Sequence, residues 1–382
     1  MSLIILGSTG SVGRQAIDVA LALGIKVLGI SCGSDVLELE KQARMLGVRA
    51  CSVRDEKAAK SLKQSLADTG IKVYAGEDGI CEMIADLRAD KVLNAVSGFA
   101  GLRPTLAAID AGCDLALANK ESLVAAGKLV MARAKAAGVA VLPVDSEHSA
   151  LLQCMTHPKA VSRLILTASG GPFFGKTRSE LADVTPEEAL GHPNWKMGPR
   201  VTIDSSTLMN KGFEVIEAAR LFDIPAEKID VVIHRESIIH SMVEYIDNAV
   251  LAQLSVPDMR LCIQYALTYP ERAPGLTNKL DLAQLGKLTF YKPDYREFPL
   301  LGLAYETDRR SDAARVALNA ADEVAVGLFL SRKIRYNDIA ELVCEVVRSA
   351  EERDYFSYGE FAEADRYYRE KTLEFAQALR KY

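Results

Sequence analysis

Leu3-Ile4-Ile5-Leu6-Gly7-Ser8-Thr9-Gly10-Ser11-Val12-Gly13 is the stretch whose reading decides the fold. Four apolar residues predict a buried strand, and the glycine-spaced turn leads straight into an amphipathic run starting at Ser11. Gly7 permits a tight turn, Gly10 lets backbone approach a pyrophosphate, and Gly13 lets the helix pack on the strand, with the helix N-terminus facing an anion. A dinucleotide is the ligand this implies; the plainer alternative is a tight strand-to-helix connection.

Outward from this turn, short apolar runs at 26–31, 50–53, 72–74, 91–95, 114–118 and 140–143 alternate with helical patterns. That rhythm predicts a parallel sheet covered on both faces. After Pro143 it stops, and a mixed region follows, with Gly/Pro-rich loops at 169–175 and 191–199, a long helix at about 206–222 and strands at 231–239 and 250–254. Residues 270–299 carry Pro270, Pro274, Gly275, Gly286, Pro293 and Pro299 and read as a linker. Beyond it, 311–331, 336–348 and 361–379 show helical spacing. The expected architecture is α/β: an N-terminal Rossmann-like parallel sheet (1–145, dinucleotide-binding), a central α+β catalytic domain (146–268), a linker (269–298) and a C-terminal helical bundle (299–382).

The 382 residues are enough for two or three domains, and 49% hydrophobic with 25% charged residues is the balance of a globular enzyme. Lys+Arg 46 against Asp+Glu 51 gives a net charge of −5. No field of that size gathers nucleic acid or an anionic membrane, so an anionic ligand needs a local pocket. The start of the chain has no basic leader, and no apolar run reaches the roughly 18 residues of a membrane span. A cytoplasmic protein is expected. Seven scattered cysteines without a C-x-x-C pair argue against a disulfide framework or zinc ribbon.

Asn119-Lys120-Glu121-Ser122 follows an apolar run, at the carboxyl end of a strand where ligands bind; alone it could be a helix cap. In Pro143-Val144-Asp145-Ser146-Glu147-His148, Asp145 and Glu147 point to one side if the backbone is extended, and two adjacent acids invite a cation. Asn210, Lys211 and Glu214 share one helical face. Three carboxylates, Asp145, Glu147 and Glu214, suit Mg²⁺ or Mn²⁺ rather than zinc; a solvated helix face plus a capped strand end is the alternative. Ser169-Gly170-Gly171 can turn N–H groups toward an oxyanion, with Ser205, Asn210 and Lys211 adding donors and charge, unless it is simply a glycine turn beside a surface lysine. The loop 191–199 holds the only tryptophan, Trp195, and reads as a lid or as a loop pinned to the core. His234 and His240 read as structural. Cys154 and His157 could form a thiol–base pair, but their amphipathic stretch favours a core reading.

Together these motifs resemble the 1-deoxy-D-xylulose 5-phosphate reductoisomerase family over nearly the whole chain. The blocks are GSTGSVG (7–13), ANKES (118–122), LPVDSEH (142–148), TASGGPF (167–173), HPNWKMG (192–198), DSSTLMNKGFEVIEA (204–218), HSMVEY (240–245), LAQLSVPDMR (251–260) and ALNAADEV (317–324). The resemblance implies a homodimer that rearranges a phosphorylated sugar and reduces it with NADPH. It implies dinucleotide contacts from Thr9, Gly10, Ser11, Val12, Asn119, Glu121 and Gly198, and a divalent ion on Asp145, Glu147 and Glu214. It further implies substrate contacts from Lys120, Ser146, Glu147, Ser169, His192, Ser205, Asn210, Lys211 and Glu214, with Lys120, Glu147 and His192 as the catalytic set.

In one place the sequence departs from the family. Many members carry a basic residue and Asn after the second strand, facing the 2′-phosphate of NADPH, whereas this chain reads Ser31-Cys32-Gly33-Ser34-Asp35. An acid there usually signals NADH; Asp35 could instead cap the helix starting at Val36. Ser31, Gly33 and Ser34 leave room for a phosphate, with Arg14 or Arg54 as sources of charge. NADPH is therefore expected, with weakened discrimination. Two rival readings are a semialdehyde dehydrogenase, which would need a thiol nucleophile, and a dinucleotide sensor, which would need no divalent ion.

Overall fold

The computed structural model describes residues 1–195 and 197–379. The chain divides into two compact units: Met1–Ser122, Val130–Ser149 and Asp258–Asn278 in the first, and Leu123–Leu129, Ala150–Pro257 and Lys279–Tyr382 in the second.

In the first unit, strands β1 (Ser2–Leu6), β2 (Lys26–Cys32), β3 (Ala50–Val53), β4 (Lys72–Ala75), β5 (Lys91–Asn94), β6 (Asp114–Leu117) and β7 (Val141–Pro143) form one parallel sheet in the order β4-β3-β2-β1-β5-β6-β7. Every apolar run read from the sequence became a strand, because strands covered on both faces are apolar throughout. The order reverses at β1, which pairs with β2 on one side and β5 on the other. Such a switch point opens a crevice beyond the carboxyl ends of the strands, where the glycine turn lies.

Close packing fixes that turn. Gly7 has a φ of +75°, and a Cβ there would lie 2.7 Å from the carbonyl oxygen of Ala95. A Cβ on Gly13 would lie 2.2 Å from the oxygen of Gly7 and 2.5 Å from the Cα of Ser8, so the helix Ser11–Ala22 touches the turn backbone to backbone. Gly7 N–H donates to Ser31 Oγ (3.1 Å) and Ser8 N–H to the Ser31 carbonyl (2.8 Å), tying the turn to β2.

In the second unit, β8 (Val161–Ala168), β9 (Ile229–Ile233), β10 (Ile239–Tyr245) and β11 (Val250–Leu254) form a mixed sheet in the order β11-β10-β8-β9. β8 and β9 are parallel, and β10 runs against both β8 and β11. Three expectations are corrected here. The strand expected at 231–239 is two, β9 and β10, parted by a buckle at 234–238 in which Ser237 has φ +51°. The helix expected from about 206 starts only at Met209 and runs to Phe222, because Leu208 at φ +60° parts it from a further helix, Pro199–Ser206, that was not expected. Part of the expected linker is strapped down, for Tyr291 exchanges backbone hydrogen bonds of 2.8 and 2.9 Å with Ile233.

The helices Asp312–Leu330, Tyr336–Arg348 and Tyr358–Leu379 pack against one another around Phe329, Val343 and Phe361, all buried. No helix among the described residues is long and apolar enough to cross a membrane.

The backbone contact at Gly13 generates a prediction. Gly13→Ala forces a methyl into rigid backbone and should cost about 1–3 kcal/mol. A denaturant titration followed by circular dichroism would show it as an earlier transition; an unchanged midpoint would mean that the helix moves outward freely.

Candidate active site

Beyond β6, Asn119 caps the helix Lys120–Ala137, its side-chain oxygen accepting from Ser122 N–H (3.1 Å). Its Nδ2 donates to the carbonyls of Val96 (2.7 Å) and Gly98 (2.9 Å) and to Glu121 (2.8 Å), while Glu121 accepts from Gly98 N–H (3.0 Å). Both buried side chains therefore hold the 96–98 loop that follows β5, the strand beside the glycine turn.

Lys120, first residue of that helix, sets its ammonium 2.5 Å from Asp145, each side chain 11% exposed. Burial by itself would raise the Asp145 carboxyl. The Lys120 charge, helped by His148, outweighs it and holds the group well below the usual carboxylate range. Asp145 and Glu147 do not share an extended backbone as expected: β7 ends at Pro143, and Glu147 lies in the first turn of the helix Ser146–Cys154. Ser146 Oγ donates to the Glu147 carboxylate.

At the end of β2, Asp35 caps the helix Val36–Leu46, accepting from Glu38 N–H (3.2 Å). A Cβ on Gly33 would meet nothing within 4 Å. Arg54 pairs with Glu77 (2.7 Å), and Arg14 lies 3.8 Å from Glu38.

In the second unit, β8 leads into Ser169-Gly170-Gly171, with both glycines at positive φ (+77° and +63°). A Cβ on Gly171 would meet the Ser205 carbonyl oxygen at 2.7 Å, so the absent side chain lets this turn rest on the end of the helix Pro199–Ser206, next to Ser205. Ser169 Oγ accepts from Gly171 N–H (3.2 Å) and lies 2.9 Å from His192 Nε2. His192 Nδ1 accepts from the N–H groups of Asn194 (3.2 Å) and Trp195 (3.0 Å). That places the imidazole proton on Nε2, which donates to Ser169. Burial, then the positive charge of Arg235, push the His192 pKa down to about 4, so the ring is neutral at pH 7.

On the helix Met209–Phe222, Asn210 Nδ2 donates to Glu214 (2.5 Å) and Lys211 forms an ion pair with the same carboxylate. Glu214 is 1% exposed and Lys211 4%. The solvated-helix-face alternative is thereby overturned. Gly198 caps the helix Pro199–Ser206, accepting from Thr202; within the expected lid, Lys196 lies outside the described residues.

His240 is buried with Nε2 2.8 Å from Ser255 Oγ, and burial pushes its pKa down to about 4. His234 stacks on Phe290, its Nδ1 2.9 Å from the Thr289 carbonyl and its Nε2 accepting from the N–H groups of Ile238 and Ile239. Cys154 is buried, its carbonyl bonded to Tyr245. Sequence reasoning missed Asn194 and Arg235, whose partners are mostly backbone carbonyls; a charged residue at the junction of two apolar runs was the one available sign.

Asp145 and Glu147 in the first unit, and Glu214 in the second, each offer carboxylate oxygens, the donor type that a hard divalent cation takes. The turn at Gly7, Gly10 and Gly13, with no side chain in the way, is of the kind a pyrophosphate takes.

Comparison with known proteins agrees over the whole length. The family description "1-deoxy-D-xylulose 5-phosphate reductoisomerase" matches residues 3–127, its C-terminal domain 141–222, and "DXP reductoisomerase C-terminal domain" 254–371. The 1-deoxy-D-xylulose 5-phosphate reductoisomerase of Caldanaerobacter subterraneus subsp. tengcongensis is 53% identical over 352 residues, 91% of this chain and 92% of the relative. That of Desulfitobacterium hafniense (strain Y51) is 48% identical over 97% of this chain and 98% of its own. Among solved structures, the Zymomonas mobilis enzyme in complex with NADPH is 38% identical, covers 98% of both chains and superposes with a TM-score of 0.91. A DOX-P reductoisomerase in complex with NADPH, fosmidomycin and magnesium is 37% identical, covers 100% of this chain and 99% of its own, and gives a TM-score of 0.96. Sequence and fold agree from end to end, and the chain belongs to the 1-deoxy-D-xylulose 5-phosphate reductoisomerase family.

Proposed function

We infer that the protein converts 1-deoxy-D-xylulose 5-phosphate to 2-C-methyl-D-erythritol 4-phosphate with NADPH and a divalent cation, a skeletal rearrangement followed by hydride transfer. The observation that carries this is the full-length match, at a TM-score of 0.96, to a relative solved with NADPH, fosmidomycin and magnesium.

In this reading Asp145, Glu147 and Glu214 hold the cation, and Thr9, Gly10, Ser11, Val12, Gly33, Asn119, Glu121 and Gly198 line the dinucleotide. When bound, the cation supplies Lewis-acid polarisation of the substrate's ketone and hydroxyl oxygens, and NADPH supplies the hydride. Lys120 adds a fixed positive charge that stabilises negative charge developing on substrate oxygen. Ser146 and Glu147 orient a substrate hydroxyl. Ser169 receives two hydrogen bonds at its oxygen, from His192 and Gly171, so its own proton can go to a phosphate. Ser205, Asn210 and Lys211 add donors and charge. Gripping the remote phosphate fixes the reacting carbons, and the 191–199 loop, when closed, keeps water out.

We further propose a homodimer in the cytoplasm. β11 is the edge of its sheet, and Val250, Leu251 and nearby Ile246 are exposed, Ile246 by 74%. An unpaired apolar edge is a surface that a second copy would cover. Sedimentation should give twice the chain mass and Leu251→Lys should lower it; a monomer at micromolar concentration would refute the dimer.

The activity is tested by incubating the protein with 1-deoxy-D-xylulose 5-phosphate, NADPH and Mg²⁺ and following nicotinamide absorbance. Glu214→Gln keeps the size and removes the charge. It should cut kcat about a hundredfold or more while the NADPH Kd stays within about twofold; near-normal turnover at limiting Mg²⁺ would remove Glu214 from the metal set.

NADPH should be preferred over NADH, but by less than in a member with a basic residue after β2. Asp35 is engaged as a helix cap, and Asn caps about as well as Asp. Asp35→Asn should therefore leave the ratio of kcat/KM for the two cofactors within about twofold. A large move toward NADPH would show that Asp35 faces the ribose.

A further inference from the structure

The turn after β8 is held from behind by a residue outside every set named above. Arg235, in the buckle between β9 and β10, donates from Nη1 to the carbonyl oxygens of both Ser169 (2.7 Å) and Gly171 (2.6 Å). Its guanidinium lies 5.2 Å from the centre of the Phe174 ring, farther along the same loop. Its own carbonyl accepts from Asn194 Nδ2 (2.6 Å), which also reaches Ser237 Oγ (2.9 Å). Asn194 in turn donates its backbone N–H to His192. One residue thus grips, by side chain and by backbone, the two segments that present Ser169 and His192.

The need for such a grip follows from the turn. Two consecutive glycines at positive φ give a segment with wide conformational freedom, and a free turn would present Ser169 in many orientations. A guanidinium bonded to two carbonyls at 169 and 171 fixes their peptide planes with charge-assisted hydrogen bonds. We infer that Arg235 is a positioning residue whose side chain sets affinity for the phosphate end of the substrate, by fixing the 169–171 backbone that presents the Ser169 hydroxyl. This rests on the reading of Ser169 and His192 as phosphate contacts.

A second consequence separates this role from mere stabilisation. The Arg235 charge is one of the two causes that keep His192 neutral, so removing it should raise the imidazole pKa, whereas Arg235→Lys, which keeps the charge, should not.

The test compares Arg235→Gln, Arg235→Lys, Ser169→Ala and the Arg235→Gln/Ser169→Ala double variant, all in the full chain. Loss of the paired charged hydrogen bonds should raise KM for 1-deoxy-D-xylulose 5-phosphate about tenfold in Arg235→Gln, with kcat and the NADPH KM within about twofold. Arg235→Lys, reaching one carbonyl, should fall between it and the parent. The double variant should be no worse than the poorer single variant, because both act through one hydroxyl. NMR titration should show the His192 pKa raised in Arg235→Gln and unchanged in Arg235→Lys. A parental KM in Arg235→Gln while Ser169→Ala raises KM would overturn the inference, as would strictly additive effects or an unmoved His192 pKa. A parental KM in Ser169→Ala would instead remove the phosphate reading, and this inference with it.

Discussion

A carboxylate taken out of water must find a cation or several donors, and this chain buries many. Glu214 is matched by Lys211 and Asn210, Asp145 by Lys120, and Asp312 by Arg315. Arg200 faces Asp204 (3.7 Å), Asp322 (3.5 Å) and Glu323 (3.0 Å), with Arg369 joining Glu323 to Asp365. Burial pushes the fully enclosed Asp322 up to about 6, against the pull of Arg200. Removing one partner of such a pair typically costs about 3–5 kcal/mol, because the other stays buried and charged. Pairing therefore locks helix against helix within the second unit, and the helix that carries Ser205 is anchored by Arg200 to the helix Asp312–Leu330.

These pairs differ in consequence. The Arg200 and Arg315 clusters join elements of the framework, whereas Lys120 with Asp145 and Lys211 with Glu214 keep charge of both signs assembled before any ligand arrives. Preorganised charge of that kind is what the proposed catalysis would draw on, since little reorganisation would be left for the moment of reaction. His192 is tuned the other way: buried beside a guanidinium, it serves as a neutral donor.

Most of the first unit was legible because a strand buried on both faces needs an unbroken apolar run, and each run is short and bounded. β8 escaped notice because Ser162 and Arg163 interrupt its start, with Arg163 paired to Asp230 and Glu244 on the neighbouring strands. The break at Leu208 could not be read, since a leucine in left-handed backbone is imposed by tertiary packing. The buckle at 234–238 had a faint signal in its charged pair Arg235-Glu236. Among the proposed site residues, the acids, lysines and glycines were singled out by chemical type. Asn119 and Glu121 were legible as polar residues following a strand, though the 96–98 loop they hold was not. The oxygen atoms that Arg235 and Asn194 bind belong mostly to backbone, which every residue carries, so sequence holds no record of those contacts.

The strap at Tyr291 changes how the C-terminal helices should be regarded. With Tyr291 paired to β9, Thr289 bonded to His234 and Glu236, and Phe290 stacked on His234, the chain is fastened to the second sheet before those helices begin. Only the seven residues 292–298 separate the strap from the helix Pro299–Asp308, a tether of at most about 25 Å when fully extended. Its short reach keeps the helices at an effective concentration on the order of millimolar beside the sheet. Docking that would be weak between separate molecules is then strongly favoured within one, so the surface by which the helix Pro299–Asp308 packs on the helix Met209–Phe222 can drift in sequence without coming loose.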